Sequence, residues 1–141
     1  MPCKVIIGSK DGKAWRCEID PEVVSGKQVG DTLEGVAIHA GLAGYSLLVT
    51  GGSDSSGFPL KSDVEGIGLK RVLLSKGWGM QDSHQGIRRR KTVRGKQLSA
   101  TLAQLNMQVT KTGATPLATV FADQNTPAEA PAPKVAVASV A

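Results

Sequence analysis

The run Arg88-Arg89-Arg90-Lys91-Thr92-Val93-Arg94-Gly95-Lys96 holds six cations in nine residues. In an extended segment Arg88, Arg90, Thr92, Arg94 and Lys96 share one face, and Arg89, Lys91 and Val93 share the other. Alternate side chains of a strand lie about 6.6 Å apart, a spacing that suits the successive phosphates of a polyanion. The fixed fork of donors on arginine matches phosphate oxygens two at a time. A solvated charged strand has the same composition, but four consecutive like charges repel one another and are relieved by an anion.

Two further segments could assist. Gly51-Gly52-Ser53-Asp54-Ser55-Ser56-Gly57-Phe58 reads as a polar glycine loop. Its backbone N–H groups and hydroxyls could approach a phosphate, with Lys61 just beyond; an ordinary surface turn is the competing reading. In Lys76-Gly77-Trp78-Gly79-Met80 the flanking glycines let the Trp78 indole project and stack on an exposed base, although a lone tryptophan also serves as a packing anchor. Lys70, Arg71 and Lys76 complete the candidate set: Lys61, Lys70, Arg71, Lys76, Arg88, Arg89, Arg90, Lys91, Arg94, Lys96, Gly51, Gly52, Ser53 and Trp78.

The charge is local. Residues 61–96 carry ten Lys and Arg against Asp63, Glu65 and Asp82, whereas the remaining positions carry seven against nine acids. Such a patch favours a polyanion, because each cation set against a phosphate releases condensed counterions. An acidic protein face would be attracted too.

Enzyme signatures fail. Gly8-Ser9-Lys10-Asp11-Gly12-Lys13-Ala14 is one residue short of a phosphate-binding P-loop and has Ala14 where Ser or Thr belongs, so it reads as a hairpin turn. Gly66-Ile67-Gly68 lacks the third glycine of a dinucleotide fingerprint. Cys3, Cys17, His39 and His84 form no CxxC or HxxxH pair, and neither histidine has an evident nucleophile or carboxylate partner. The expectation is no catalysis, no cofactor, no metal and no small-molecule substrate. Cys3 and Cys17 read as reduced thiols on neighbouring strands. The start of the chain lacks a signal-peptide apolar region and no run approaches the roughly 20 apolar residues of a membrane span, so a cytosolic protein with no membrane partner is expected.

The elements that would carry these residues are short. Val5 to Ile7, the Asp11-Gly12 turn and Lys13 to Ile19 read as a hairpin. Between Pro21 and Gly44 frequent glycines leave short strands and loops, Val36 to His39 among them. Tyr45 to Thr50 and Val72 to Leu74 read as strands, and Ile87 to Leu98 as an extended basic segment. Leu98, Leu102 and Leu105 have helical spacing, while Leu105, Met107 and Val109 alternate as in a strand. The fold class is therefore mainly β: a small β-barrel of short antiparallel strands around one aliphatic core, with a short helical turn and a flexible Ala/Pro-rich C-terminal tail. We place the barrel domain at 1–113, an open boundary at 114–122 and the tail at 123–141; beyond Gly113, nine of 28 residues are Ala and four are Pro.

Several blocks carry a family resemblance: Gly41-Leu42-Ala43-Gly44-Tyr45, Thr50-Gly51-Gly52-Ser53-Asp54 with Gly57-Phe58-Pro59-Leu60-Lys61, Arg71-Val72-Leu73-Leu74-Ser75-Lys76-Gly77, and Gly86 through Gly95. They resemble, in order, the e-type ribosomal protein six family of the archaeal and eukaryotic small subunit, and the likeness covers roughly residues 2 to 113. The resemblance implies a β-barrel bound to small-subunit rRNA beside neighbouring ribosomal proteins, a structural role in translation, and a place in the ribosome in the cytoplasm. It also implies the short archaeal form, since eukaryotic members continue into a basic helix with phosphorylated serines and this chain has only Lys134 and Ser139 there. The alternative is a basic docking module for an acidic protein partner.

Overall fold

Cys3, Val5 and Ile7 alternate with Lys4, Ile6 and Gly8, and the structure, a computed structural model describing residues 2–124, buries the first set completely in β1 (Cys3–Gly8). Gly12 adopts a φ of 84°, and the Ser9 amide donates to the Lys13 carbonyl at 2.9 Å, turning the chain into β2 (Ala14–Ile19). The P-loop look-alike is thus the turn of the expected hairpin.

The strands β3 (Thr32–Glu34), β4 (Ser46–Asp54), β5 (Leu69–Ser75), β6 (Arg88–Arg94) and β7 (Leu102–Lys111) follow, with one short helix, α1 (Leu117–Val120). Five strands form a sheet in the order β2-β1-β7-β4-β3, curled into a half-barrel, while β5 and β6 form a separate two-stranded ribbon. The mainly-β class holds. One pairing departs from the antiparallel expectation: β1 lies parallel to β7.

Val36 does not enter a strand. Gly35–Ala37 is a 3-10 turn and Val36 stands 57% exposed. Leu98, Leu102 and Leu105 are all buried, but not on a helix. Along the β4–β7 ladder Ser53 faces Gln104 while Asp54 faces Leu102, so Ala103 is an extra residue on β7. That bulge turns both Leu102 and Leu105 inward, which strict alternation would forbid. A strand irregularity therefore produces the three-residue spacing that suggests a helix.

Sequence reading ends the fourth strand at Thr50, before the glycine pair. The structure instead runs β4 on through Gly51, Gly52 and Ser53 to Asp54. Gly52 is required by close approach, because a Cβ there would lie 2.4 Å from the Gln104 carbonyl oxygen. A Cβ on Gly51 would meet nothing within 4 Å.

Instead of one core there are two. The large one lies in the half-barrel and includes Leu47, Val49, Leu60, Leu98 and Leu105; Val64, Leu74, Met80 and Val93 form a small one under the ribbon. Cys3 pairs across from Ile19 and Cys17 across from Val5, and both are free thiols. Burial lifts both thiol pKa values, that of Cys17 to about 11 with help from Cys3, so the two stay protonated. Beyond β7 the chain folds back: Leu117 and Phe121 join the large core, the Tyr45 hydroxyl donates to the Thr115 carbonyl, and the Gln124 amide bonds both the N–H and the carbonyl of Arg16. The tail expected from 123 onward lies, after Gln124, outside the described residues.

The adjacent glycines give a paired test. Gly52→Ala pushes a methyl against backbone and should destabilise the protein by about 1–3 kcal/mol, whereas Gly51→Ala should stay within about 0.5 kcal/mol of the parent. Urea unfolding of the two variants measures the difference, and equal stabilities would contradict the close approach.

Candidate functional site

The register of the ribbon runs from Leu69 opposite Arg94, next to the half-barrel, to Ser75 opposite Arg88 at the far end. This pairing brings Lys70 and Arg71 of β5 alongside the run in β6, and the 76–87 connection places Lys76 at the far end. Segments that are separate in the chain thus become one basic ribbon.

The cations divide into two groups. Arg94, Arg89, Lys61 and Lys96 are ion-paired, respectively with Asp54 at 2.8 Å, Asp82 at 3.0 Å, Asp63 at 3.3 Å and Glu65 at 2.8 Å. Lys70, Arg71, Lys76, Arg88, Arg90 and Lys91 are exposed and have no carboxylate partner among the described residues. The proposed single face from Arg88 to Lys96 therefore does not stay open along its length. It is free at Arg88 and Arg90, half-buried at Thr92, and anchored at Arg94 and Lys96.

The anchor is Asp54, the buried charged side chain of the described fold. Its carboxylate accepts from the Ser56 N–H at 2.8 Å, the Phe58 N–H at 2.9 Å and Arg94 Nε at 2.8 Å; Arg94 Nη1 also donates to the Ile67 carbonyl at 3.1 Å. Burial alone would raise this carboxyl, but the Arg94 hydrogen bond, the Phe58 N–H, the Arg94 charge and the Ser56 N–H outweigh it and hold it below the usual carboxylate range.

The same network answers the glycine-loop expectation. The amides of Ser56 and Phe58 go to the Asp54 carboxylate, that of Gly57 to the Asp54 carbonyl and that of Ser55 to the Thr101 carbonyl. Gly51, Gly52 and Ser53 pair with β7. The amides of residues 55–58 are committed within the fold, so this part of the loop is a turn built round an aspartate.

Trp78 is not a packing anchor, being 49% exposed. Gly77 and Gly79, with φ of 131° and 75°, hold the loop around it while Met80 is buried in the small core. Lys61 Nζ lies over the ring, 4.8 Å from its centroid, a cation–π contact. His39 accepts the Gly41 N–H and lies against Phe121. Among the described residues no three His, Cys, Asp or Glu side chains converge as metal ligands, and no helix is long and apolar enough to cross a membrane.

Sequence reading missed Asp54 as the organiser, although a signal exists: Asp54-Ser55-Ser56-Gly57 has aspartate first and glycine last, as a side-chain-capped turn does. It also missed that Leu69 and Leu73 stand about half exposed between the arginines.

Comparison with known proteins gives a consistent picture. The family model described as Ribosomal protein S6e matches residues 3–122. The chain is similar to proteins named Small ribosomal subunit protein eS6: that of Methanosphaera stadtmanae is 37% identical over 126 residues, spanning 87% of this chain and 95% of the relative. That of Methanoculleus marisnigri is 43% identical over 104 residues, 74% and 77% of the two chains, and that of Methanocaldococcus jannaschii 40% over 109 residues, 77% and 82%.

The Asp54–Arg94 pair has a testable acid dependence. Since the folded carboxyl titrates below its unfolded value, its contribution is complete above about pH 4 and is lost as pH falls through the folded pKa. Asp54→Ala should cost about 3 kcal/mol at neutral pH, because Arg94 is left largely buried without its counter-ion. In Asp54→Asn the stability decline below about pH 4 should be shallower than in the parent. Chemical unfolding across pH reads both, and parallel pH profiles would remove Asp54 from its anchoring role.

Proposed function

The chain belongs to the ribosomal protein S6e family, and from that premise we propose that it is a structural constituent of the small ribosomal subunit that binds small-subunit rRNA through the phosphates facing the β5–β6 ribbon. It supports translation from within the ribosome, in the cytoplasm, and its duty is structural rather than enzymatic. Its partners are rRNA and neighbouring ribosomal proteins.

The observation that carries the RNA reading is the clustering of six unpaired cations on the one ribbon. Lys70, Arg71, Lys76, Arg88, Arg90 and Lys91 lack carboxylate partners among the described residues and all belong to the ribbon or its connection. Six cations that the fold leaves unneutralised gain most from a polyanion, by releasing its condensed counterions. The cations that the fold does neutralise have another duty: Arg94 and Lys96 fasten the ribbon's inner end, and Lys61 steadies Trp78. Trp78 then offers a flat, partly exposed surface to an unstacked base, and base stacking on such a ring contributes about 1–3 kcal/mol.

Three measurements test this reading. In binding to small-subunit rRNA, the parent chain should lose at least about tenfold in affinity between about 50 and 200 mM salt. Replacing the six free cations by Ala should flatten that dependence; an unchanged salt slope would remove the ribbon from the RNA interface. Trp78→Ala should weaken binding by about 1–3 kcal/mol at an unchanged salt slope, with Trp78→Phe retaining most of the affinity. In sedimentation of native particles the protein should travel with small subunits, and its absence from them at low salt would overturn the ribosomal role.

A further inference from the structure

The ribbon has two chemically different faces. Residues directly opposite in an antiparallel pair share a face, so Leu69 with Arg94, Arg71 with Thr92, Leu73 with Arg90 and Ser75 with Arg88 line the first. Lys70 with Val93, Val72 with Lys91 and Leu74 with Arg89 line the second, which closes over Val64 and Met80. Every cation in the strands of the first face is arginine, and both strand lysines are on the second.

The first face also carries apolar groups that the fold leaves uncovered. Leu69 is 46% exposed and Leu73 55%; Ile67, two residues before Leu69, is 48% exposed. The acid that reaches this face, Asp54, is buried and already bonded to Arg94. What remains is an uncompensated Arg71, Arg88 and Arg90 set around aliphatic side chains.

We propose that this arginine–leucine face is a protein-docking surface, and that its partner is a polypeptide surface bearing carboxylates around an aliphatic patch. The proposal rests on the chain's ribosomal role and narrows the RNA reading above: of the six unpaired cations, Arg71, Arg88 and Arg90 go to the protein partner, and Lys70, Lys91 and Lys76 meet the RNA. Burying an aliphatic side chain stabilises a complex because apolar area leaves water, and a phosphate backbone supplies no apolar cover. The composition agrees, since arginine is enriched and lysine depleted in protein interfaces. Charge complementarity selects the partner further: guanidinium forks beside the leucines pair two-pronged with carboxylates, so an acidic, aliphatic surface satisfies both halves of the face at once.

The test places a p-benzoylphenylalanine photo-crosslinker at position 73 or position 91 of the full chain and irradiates small subunits that have incorporated it. The position-73 adduct should resist nuclease and contain a peptide with acidic and aliphatic residues, while the position-91 adduct should be RNA. A nuclease-sensitive adduct at 73, a peptide without carboxylates there, or no adduct at 73 in particles where 91 reacts would overturn the proposal. Failure of the ribosomal role is separately visible, as absence of the unlabelled parent chain from small subunits. Binding to purified small-subunit rRNA supplies a second readout. The pair Lys70→Ala and Lys91→Ala should lower the salt slope by about 2, whereas Leu69→Ser with Leu73→Ser should leave affinity unchanged; weakened affinity in the leucine pair with an unchanged slope in the lysine pair would place the RNA on the arginine–leucine face.

Discussion

The burial of one carboxylate organises this molecule. Asp54 ends β4 inside the protein, and a charge taken out of water must be matched by donors. Two of those donors are backbone N–H groups of the residues that follow, which fixes the turn; the third is Arg94, which comes from a strand in the other sheet. The pair therefore joins two units that also meet through backbone hydrogen bonds, such as Lys61 N–H to the Arg94 carbonyl and Arg94 N–H to the Pro59 carbonyl. With Arg94 held, the register of β6 carries Arg88 and Arg90 outward to the free end. The basic run is thus divided by use: Arg94 and Lys96 hold the ribbon's inner end, and Arg88, Arg90 and Lys91 are without carboxylate partners among the described residues.

Local signals of the fold were legible in the chain. The apolar run Val5 to Ile7, the alternation in Leu105–Val109 and the Asp11-Gly12 turn are set by neighbours in sequence, and the structure has strands and a turn at those places. The basic segment was legible as an extended strand for the same reason. What escaped sequence reading depends on distant residues. Gly52 looks like a loop glycine until the Gln104 carbonyl is brought against it, and the helix-like spacing of Leu102 and Leu105 only becomes a strand once the bulge at Ala103 is known.

The functional residues follow the same rule. Composition revealed that residues 61–96 were basic, but not which cations were already neutralised, because Asp54 lies 40 residues from Arg94 and Glu65 31 from Lys96. Likewise Val72, Leu73 and Leu74 read as a uniformly apolar strand, yet a ribbon covered on one side can bury only alternate members, so Leu74 is buried and Leu73 faces out. Which of the two faces is covered depends on Met80 and Val64, residues from separate connections.

Gln124 has an effect at the opposite side of the half-barrel. β2 is an edge of the sheet, and an edge strand offers unpaired N–H and C=O groups to any passing strand. The Gln124 side-chain amide, one donor and one acceptor, engages the carbonyl and N–H of Arg16 as the backbone of a neighbouring strand would. At that point the molecule has occupied its own edge with a side chain. A strand that approached there to extend the sheet would find the N–H and carbonyl of Arg16 already bonded.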